Sequence, residues 1–338
     1  RAGARFPVDA RRAGCDPEGD PDAMTDTPIP LLVIGGPTAA GKTEASLQVA
    51  ERTGGEVISA DSMQIYERMD IGTGKPTPEE RERAPIHLID FVPPDGEYAV
   101  AEFKQDAERL IREVHGRRRL PIVAGGTGLY LRALTEGFDF PPPPEDRELR
   151  DALWEEIEEV GSEQMHLRLA EIDPESAERI DSGDARRIVR ALEVYELTGR
   201  PMSEERNVDD RAAVHYNCAK YVLTPPRKLL FDRIERRVDE MMEAGWVDEV
   251  RDLIETGVPP DAQSMQAIGY RHLREYLDDE RDLEETVELI KRDTRRFAKR
   301  QLTWLRGGEG YRWLSPADEA GRRACRTMIV TQANRIRG

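Results

Sequence analysis

A glycine-rich segment in the first quarter of the chain has the residue types and spacing of a phosphate-binding site. It reads Gly36-Pro37-Thr38-Ala39-Ala40-Gly41-Lys42-Thr43, the G-x-x-x-x-G-K-T pattern of a phosphate-binding loop, or P-loop. In such a loop the backbone N–H groups point inward, and the lysine places a cation on the phosphate oxygens. The Thr43 hydroxyl is placed to ligate Mg²⁺. The segment therefore predicts a site for a diphosphate or triphosphate, without indicating which compound is bound.

An aspartate follows the next apolar segment. Residues 56–60 predict a short strand, and Asp61 comes directly after it. Because ligands of open α/β sheets bind at the carboxyl ends of the strands, we expect Asp61 to face the P-loop. The alternative is a helix N-cap, a position that aspartate and serine favour.

A third strand end carries small residues in place of an acid. The apolar residues 120–124 predict a buried strand, which leads into Gly125-Gly126-Thr127-Gly128. In most P-loop NTPases this strand ends in an acidic residue that helps to hold Mg²⁺. Small residues allow close approach of a substrate, and the Thr127 hydroxyl can donate to a phosphate oxygen. The alternative for Thr127 is to cap the helix that follows. Asp90, which comes after a short apolar segment, could be the strand-end acid of an NTPase, so this class of protein stays open.

Two predicted helices concentrate basic residues. In the helix predicted over 184–198, Arg186, Arg187 and Arg190 are spaced so that at least two share a face. In the helix predicted over 283–305, basic residues have aromatic residues among them, a pattern typical of RNA contacts. The alternative for both sets is a solvated surface. The second set consists of Lys291, Arg292, Arg295, Arg296, Lys299, Arg300 and Arg306, with Phe297 and Trp304.

Composition limits the class of protein. The net charge of −17 repels phosphate at long range, so any nucleic-acid binding must come from local basic patches. No uninterrupted apolar run approaches the ~18 residues of a membrane-spanning helix. The cysteines, Cys15, Cys218 and Cys325, form no CxxC pair. They argue against a disulfide framework or a zinc site and favour a reducing cytoplasm.

The order of the segments predicts an α/β fold, with a P-loop NTPase-like core whose parallel sheet is flanked by helices, plus an all-helical insertion domain. The insertion begins where the composition shifts, at a run of four prolines. The predicted parts are a disordered N-terminal extension (1–27), the first part of the core (28–140), the helical insertion (141–200), the second part of the core with its basic helix (201–315) and a C-terminal tail (316–338).

Together these segments resemble the tRNA dimethylallyltransferases, the bacterial tRNA isopentenyltransferase family. The resemblance implies transfer of a dimethylallyl group from dimethylallyl diphosphate to N6 of the adenosine 3′ of the anticodon, at tRNA position 37, with release of pyrophosphate. It also accounts for the missing strand-end acid, since the loop would hold a leaving pyrophosphate. The matching segments are 36–43, 59–66, 69–76, 125–130, 187–194 and 298–306.

The resemblance also implies residue roles. The P-loop residues 36–43 would bind the diphosphate with Mg²⁺ on Thr43, Asp61 would be the general base, and Thr127 would assist at the reaction centre. The helical insertion would bind the anticodon stem-loop of the tRNA, and the protein would be a cytoplasmic monomer. The implied tRNA contacts are Asp61, Ser62, Met63, Gln64, Thr127, Arg150, Arg186, Arg187, Ile188, Val189, Arg190, Gln266, Gly269, Tyr270, Arg271, Lys299, Arg300, Gln301, Thr303, Trp304 and Arg306.

Three other functions fit parts of the pattern. In an ATP-binding nucleotide or nucleoside kinase, Asp61 would activate a hydroxyl and Lys42 would hold ATP. An adenylate isopentenyltransferase would share the fold and the chemistry, but AMP requires neither the helical insertion nor the basic helix. An RNA-binding scaffold with a vestigial P-loop is the non-enzymatic alternative. The Gly-Gly-Thr strand end and the basic helix argue against the kinase.

Overall fold

The computed structural model describes residues 28–137, 146–205 and 216–337. The extension predicted over 1–27, with Cys15, and the proline run at 141–144 lie outside the described residues.

The core is a parallel sheet. Its strands within the described residues are β1 (Ile29–Gly35), β2 (Glu56–Ala60), β3 (Ile86–His87), β4 (Pro121–Gly125), β5 (Tyr216–Leu223) and β6 (Tyr311–Leu314). Their order across the sheet is β3-β2-β4-β1-β5-β6, and every pairing is parallel. The α/β prediction is confirmed. The short apolar segment before Asp90 contributes only β3, which ends at His87, because Leu88 and Asp90 adopt positive φ angles of 57° and 63°.

Helices cover both faces of the sheet, which explains why its central strand is a continuous apolar run. Successive side chains of β1 point to opposite faces. Leu31 and Val33 pack in one cluster, and Leu32 and Ile34 pack in the other. The first flanking helices are α1 (Lys42–Thr53), α2 (Pro78–Arg83), α3 (Val100–Gly116) and α4 (Gly128–Thr135).

Between α4 and β5 the described residues form helices joined by turns and loops. The helices are α5 (Arg147–Val160), α6 (Ser162–Ile172), α7 (Pro174–Arg179), α8 (Ala185–Thr198) and α9 (Met202–Glu205). Aspartate side chains cap α5, α7 and α8, as their capping preference predicts. These helices bury a hydrophobic cluster of their own, with Leu153, Met165, Ile188 and Leu192 among its members.

The rest of the chain returns to the core. It forms α10 (Arg227–Glu243), α11 (Trp246–Glu255), a 3-10 turn (Ser264–Gln266), α12 (Tyr270–Leu277), α13 (Leu283–Arg306) and α14 (Glu319–Arg337). The expected C-terminal tail is therefore largely a helix. Ile329 and Ala333 of α14 are fully buried in the cluster that also contains Leu47 and Val49 of α1. No described helix is long and apolar enough to cross a membrane.

Candidate functional site

A cleft of about 1350 Å³ lies at the carboxyl edge of the sheet. The register of the sheet sets its position, because Gly35 of β1 and Ala60 of β2 both pair with Gly125 of β4. These strands therefore end level with one another, and the segments that follow them meet. Lining residues include Thr38, Lys42, Thr43, Asp61, Gln64, Gly125, Arg237 and Gln301.

The backbone of the P-loop has the conformation that its glycines predict. Gly41 has a φ of 90° and precedes α1, and no side chain caps this helix. The first N–H groups of α1 therefore remain available to an anion at the positive end of the helix dipole. Gly36 leaves no room for a side chain, since a Cβ there would lie 2.6 Å from the Leu223 carbonyl oxygen.

The cationic centre of the cleft is formed by Lys42 and Arg237. Lys42 Nζ donates to the Pro37 carbonyl at 2.9 Å. Loss of hydration lowers the pKa of Lys42 to about 8, with Asp61 opposing the shift and Arg237 adding to it. Burial likewise lowers the pKa of Arg237, against the attraction of Asp61. Lys42 and Arg237 thus place two cations in the cleft, where they can neutralise part of the charge of a polyphosphate.

The segments after β2 and β4 bring Asp61 and Thr127 to the same place. The Thr127 hydroxyl accepts from Ser62 N at 3.1 Å and faces the Ser62 hydroxyl at 3.4 Å. Thr127 occupies the N-cap position of α4, but its side chain makes no capping bond. Asp61 accepts from Met63 N at 3.0 Å and forms no ion pair with any residue in the described ranges. The Asp61 carboxylate lines the cleft, and the next residue, Ser62, binds the Thr127 hydroxyl.

Gln301 joins the P-loop to the segment that carries Thr127. Its Oε1 accepts from Thr38 N at 2.9 Å, and its Nε2 donates to the Gly126 carbonyl at 3.0 Å. The residue is only 5% exposed. We expected Gln301 to contact tRNA, but the structure buries its amide between two loops of the cleft.

Replacing Gln301 with methionine is expected to lower kcat about tenfold and to destabilise the fold by about 1–3 kcal/mol, because Thr38 N–H and the Gly126 carbonyl lose their partner. Steady-state kinetics and urea unfolding measure the two effects. Gln263→Met changes an exposed glutamine in the same way and serves as the control. If Gln301→Met behaved like this control, the hydrogen bonds of Gln301 to Thr38 and Gly126 would contribute to neither kcat nor stability.

A segment at residues 70–74 forms one wall of the cleft. The Glu249 carboxylate accepts from the backbone N–H of Asp70, Ile71 and Gly72 at 2.8, 2.7 and 3.1 Å, and from the Tyr270 hydroxyl at 2.6 Å. On the cleft side, Gln64 Nε2 donates to the Gly74 carbonyl at 3.1 Å, and Arg237 donates to the same oxygen at 3.3 Å. The wall is therefore held from both sides.

Glu249→Ala is expected to destabilise the protein by about 2–4 kcal/mol, because it leaves three backbone donors and one hydroxyl without their acceptor. Urea unfolding of this variant beside Glu243→Ala, an exposed glutamate of α10, measures the difference. Equal stability of the two variants would show that water replaces the carboxylate without cost.

The candidate tRNA residues of the insertion differ in exposure. Arg186 and Arg187 are exposed. Arg150 and Arg190 both pair with the buried carboxylate of Glu193, at 2.8 and 2.9 Å. Ile188 and Val189 are buried in the cluster of the insertion. The structure therefore does not offer these two side chains to RNA, and their evident role is to pack α8.

The candidate tRNA residues near Tyr270 also differ in exposure. Tyr270 is fully buried against Trp246, and burial raises the pKa of its hydroxyl well above the usual value. Gly269, with a φ of 96°, allows Trp246 to pack on the backbone where a Cβ would collide. Gln266 donates to the Pro260 carbonyl at 2.8 Å. Arg271 is exposed.

The basic helix α13 presents one face of its C-terminal half to solvent. The exposed candidates are Lys299, Arg300, Thr303, Trp304 and Arg306. Arg300 lies over the Phe297 ring at 5.7 Å, and Arg132 lies over Trp304 at 5.8 Å. Trp304 also packs on Gly128, next to Thr127. The exposed face of α13 thus adjoins the segment that carries Thr127.

Two residues that sequence reasoning missed, Arg237 and Glu249, contribute strongly to the cleft. Arg237 lies in α10, where arginines at 233, 236 and 237 form a basic stripe. That stripe is a sequence feature from which a cationic residue of the cleft could have been predicted. Nothing in the sequence around Glu249 indicates its three backbone donors.

The side chains available as metal ligands limit how a metal ion could bind in the cleft. Within the described ranges no group of three or more His, Cys, Asp or Glu side chains could hold a metal ion. Thr43 lines the cleft at the first turn of α1. A cation here would therefore need phosphate oxygens and water besides this hydroxyl, an arrangement that Mg²⁺ favours.

Known proteins resemble this chain over most of its length. Residues 64–308 match the sequence model of the IPP transferase family. The chain is 48% identical over 302 residues to a tRNA dimethylallyltransferase of Symbiobacterium thermophilum, covering 89% of this chain and 94% of the relative. It is 45% identical over 303 residues to one of Carboxydothermus hydrogenoformans, covering 90% and 97%.

Two solved structures share the fold. The tRNA isopentenylpyrophosphate transferase of Bacillus halodurans superimposes with a TM-score of 0.67 at 41% identity, covering 91% of this chain and 98% of that one. A eukaryotic dimethylallyltransferase acting on tRNA superimposes with a TM-score of 0.74 at 30% identity, covering 90% and 79%.

Proposed function

The chain belongs to the IPP transferase family, and from this premise we propose that it transfers a dimethylallyl group from dimethylallyl diphosphate to N6 of the adenosine 3′ of the anticodon, tRNA position 37. One observation carries the assignment. A P-loop with Lys42 and Arg237 shares a single cleft with Asp61, and the next residue, Ser62, is hydrogen-bonded to the Thr127 hydroxyl. That arrangement combines a site for a diphosphate leaving group with a base for the attacking amine.

Departure of the diphosphate requires positive charge that is already in place. As the bond between C1 of the prenyl group and the diphosphate oxygen breaks, negative charge grows on that oxygen and positive charge spreads along the allyl group. Lys42, Arg237 and the N–H groups at the start of α1 supply fixed charge and dipoles for the leaving group.

Attack by the amine requires removal of a proton. The exocyclic nitrogen of adenine forms the new bond to C1 while its proton passes to the Asp61 carboxylate. Asp61 suits this role because it forms no ion pair within the part of the chain that the structure describes. We propose that the Thr127 hydroxyl, held by Ser62, orients the amine.

Mg²⁺ is the proposed metal, with the Thr43 hydroxyl as its protein ligand. When bound, Mg²⁺ would share the negative charge of the diphosphate. The P-loop itself binds the diphosphate through residues 36–43.

The tRNA is proposed to bind through exposed arginines of the insertion and the exposed face of α13. An adenosine inside the anticodon loop must leave its stack to reach the cleft. The exposed basic side chains that are suited to phosphate contacts are Arg186, Arg187, Arg271, Lys299, Arg300 and Arg306. We expect one copy of the chain to act on one tRNA in the cytoplasm.

A labelled-prenyl assay tests this function. Purified protein is given labelled dimethylallyl diphosphate with unmodified tRNA, with the same tRNA carrying guanosine at position 37, or with AMP. We expect label only in the first tRNA, and N6-isopentenyladenosine in its nucleoside digest by mass spectrometry. Label on AMP would indicate an adenylate isopentenyltransferase, and ATP turnover without prenyl transfer would indicate a kinase.

A further inference from the structure

A buried glutamate lies beneath two arginines in the helical insertion. The Glu193 side chain of α8 is 1% exposed, whereas those of Arg150 on α5 and Arg190 on α8 are 37% and 34% exposed. Arg150 Nε donates to one carboxylate oxygen at 2.8 Å, and Arg190 Nη1 donates to the other at 2.9 Å. Because both oxygens belong to one carboxylate, the two guanidinium groups lie beside each other and are partly open to solvent.

Stability alone does not account for a carboxylate at this position. Leu192, its neighbour in α8, belongs to the hydrophobic cluster of the insertion, and Val194 on its other side is also buried. Taking a charge out of water costs free energy, and an apolar side chain of similar size is often as stable as a buried ion pair. What the Glu193 carboxylate provides, and an apolar residue would not, is a fixed place for two guanidinium groups.

The two arginines keep most of their donors for another partner. A guanidinium group carries five N–H donors in a rigid planar fork, a shape that matches phosphate oxygens. Arg150 and Arg190 each use one nitrogen on Glu193, and neither bonds to any other residue in the described ranges. One carboxylate between two guanidinium groups leaves a net positive charge. The cluster therefore suits an anion that accepts several hydrogen bonds.

A second ion cluster in the same helices has the opposite composition. Arg168 of α6 donates to Glu156 of α5 at 2.7 Å and to Glu196 of α8 at 2.6 Å. These two carboxylates are 42% and 38% exposed, and they leave their cluster with a net negative charge. Since Arg168 already connects α5 to α8, the excess of arginine around Glu193 points to a different role.

The Glu193 cluster adjoins the exposed arginines of the insertion. Arg186 and Arg187 are exposed and precede Arg190 by four and three positions in α8. Residues three and four apart are neighbours on a helix, so positive charge continues along α8 to the pair that Glu193 holds. Arginines that follow one another along a helix are typical of surfaces that bind a nucleic-acid backbone.

We propose that Glu193 is a positioning residue for RNA binding, which holds Arg150 and Arg190 as a preformed pair for one backbone phosphate. The phosphate accepts from the free N–H groups of both arginines while the carboxylate keeps their other N–H groups in place. The proposal rests on the proposed function, since the RNA it serves is the tRNA of that reaction. It adds two partly exposed arginines, and the acid that supports them, to the exposed contacts named above.

The sign of the effect separates positioning from simple charge. Glu193 is negative and lies close to the bound phosphate, so its removal reduces repulsion and by charge alone would tighten RNA binding. Loss of positioning acts in the opposite direction, because two long side chains must then be ordered at each binding event. A variant that lacks the carboxylate therefore distinguishes the two roles.

The test compares Glu193→Gln with Glu196→Gln, which makes the same change three residues further along α8, at an exposed partner of Arg168. Filter binding gives the Kd for unmodified tRNA from about 50 to about 300 mM salt, a range over which phosphate contacts weaken strongly. Steady-state prenylation gives kcat and the KM values for tRNA and dimethylallyl diphosphate. Thermal unfolding gives the stability.

We expect Glu193→Gln to raise the Kd and the KM for tRNA about tenfold, and to lower the slope of log Kd against log salt by about one, because one phosphate contact is lost. The kcat and the KM for dimethylallyl diphosphate should not change. Glu196→Gln should bind tRNA at least as tightly as the wild type. When Glu193→Gln is added to Arg150→Gln/Arg190→Gln, the Kd should not rise further, since Glu193 acts through these two arginines.

Two results would overturn the proposal. Tighter tRNA binding by Glu193→Gln would make the carboxylate a charge that only opposes the RNA, and a lower melting temperature with a wild-type Kd and salt slope would make it a packing residue. If Glu193→Gln did not fold, Glu193→Asp would replace it in the same comparison. This variant keeps the charge but draws the carboxylate back from the arginines, so a smaller rise in Kd is expected.

The same measurements separate this inference from the proposed function. A wild-type protein that bound tRNA without prenylating it would refute the proposed function, and the Kd comparison would still decide the role of Glu193. Normal prenylation with an unchanged Kd for Glu193→Gln would refute the positioning role alone.

Discussion

Replacing Asp61 with asparagine is expected to lower kcat by about 10²–10⁴-fold, the usual contribution of a positioned general base. The amide keeps the size of the side chain and can still accept from Met63 N, so the local backbone should be preserved. The affinity for tRNA should change little. Single-turnover prenylation measures the chemical step, and filter binding measures the tRNA affinity.

The control for Asp61→Asn is Asp95→Asn, which changes an exposed aspartate outside the cleft. It should leave kcat unchanged. Full activity of Asp61→Asn with normal tRNA binding would remove Asp61 from the reaction. The base would then have to be water or the diphosphate itself.

The centre of the site could be predicted because it is local in sequence. The P-loop is one continuous segment, and Asp61 and Thr127 each follow an apolar strand directly. In a parallel sheet the carboxyl ends of the strands lie at one edge, so these three features must meet. The register that pairs Gly35 and Ala60 with Gly125 confirms that geometry.

The walls of the cleft could not be predicted, because they depend on contacts between distant segments. Gln301 reaches Thr38 across 263 positions of sequence, and Glu249 reaches Asp70 across 179. No periodic pattern specifies such partners. Family resemblance alone suggested that Gln301 and Tyr270 touch tRNA, but resemblance does not distinguish a residue that binds a ligand from one that supports it. Burial distinguishes them here, at 5% and 0% exposure.

The C-terminal helix was missed for a different reason. The segment from 319 to 337 carries five arginines among its 19 residues, and they obscure the helical spacing of its apolar residues. Only Ile329 and Ala333 are fully buried. A surface helix that packs through so narrow a stripe cannot be distinguished by its sequence from a solvated tail.

Replacing Lys42 with methionine is expected to lower kcat/KM for dimethylallyl diphosphate by about 10²–10³-fold, because the leaving diphosphate loses its nearest compact cation. The methionine matches the aliphatic part of the lysine and should preserve the fold. Arg237 retains part of the positive charge, so a residual rate should remain. Thermal unfolding verifies the fold, and steady-state kinetics give the rate.

The pH dependence of the wild-type enzyme provides a separate test of Lys42. Loss of hydration lowers the pKa of Lys42 to about 8, so its ammonium is charged below pH 8 and becomes neutral above it. Since kcat/KM reports the ionisation of the free enzyme, it should decline as the pH rises through 8. Lys42→Arg would remain charged throughout this range, and its kcat/KM, though lower, should not show the decline. If Lys42→Arg declined at the same pH as the wild type, another group would cause the effect, and the cleft would not depend on a weakly basic lysine.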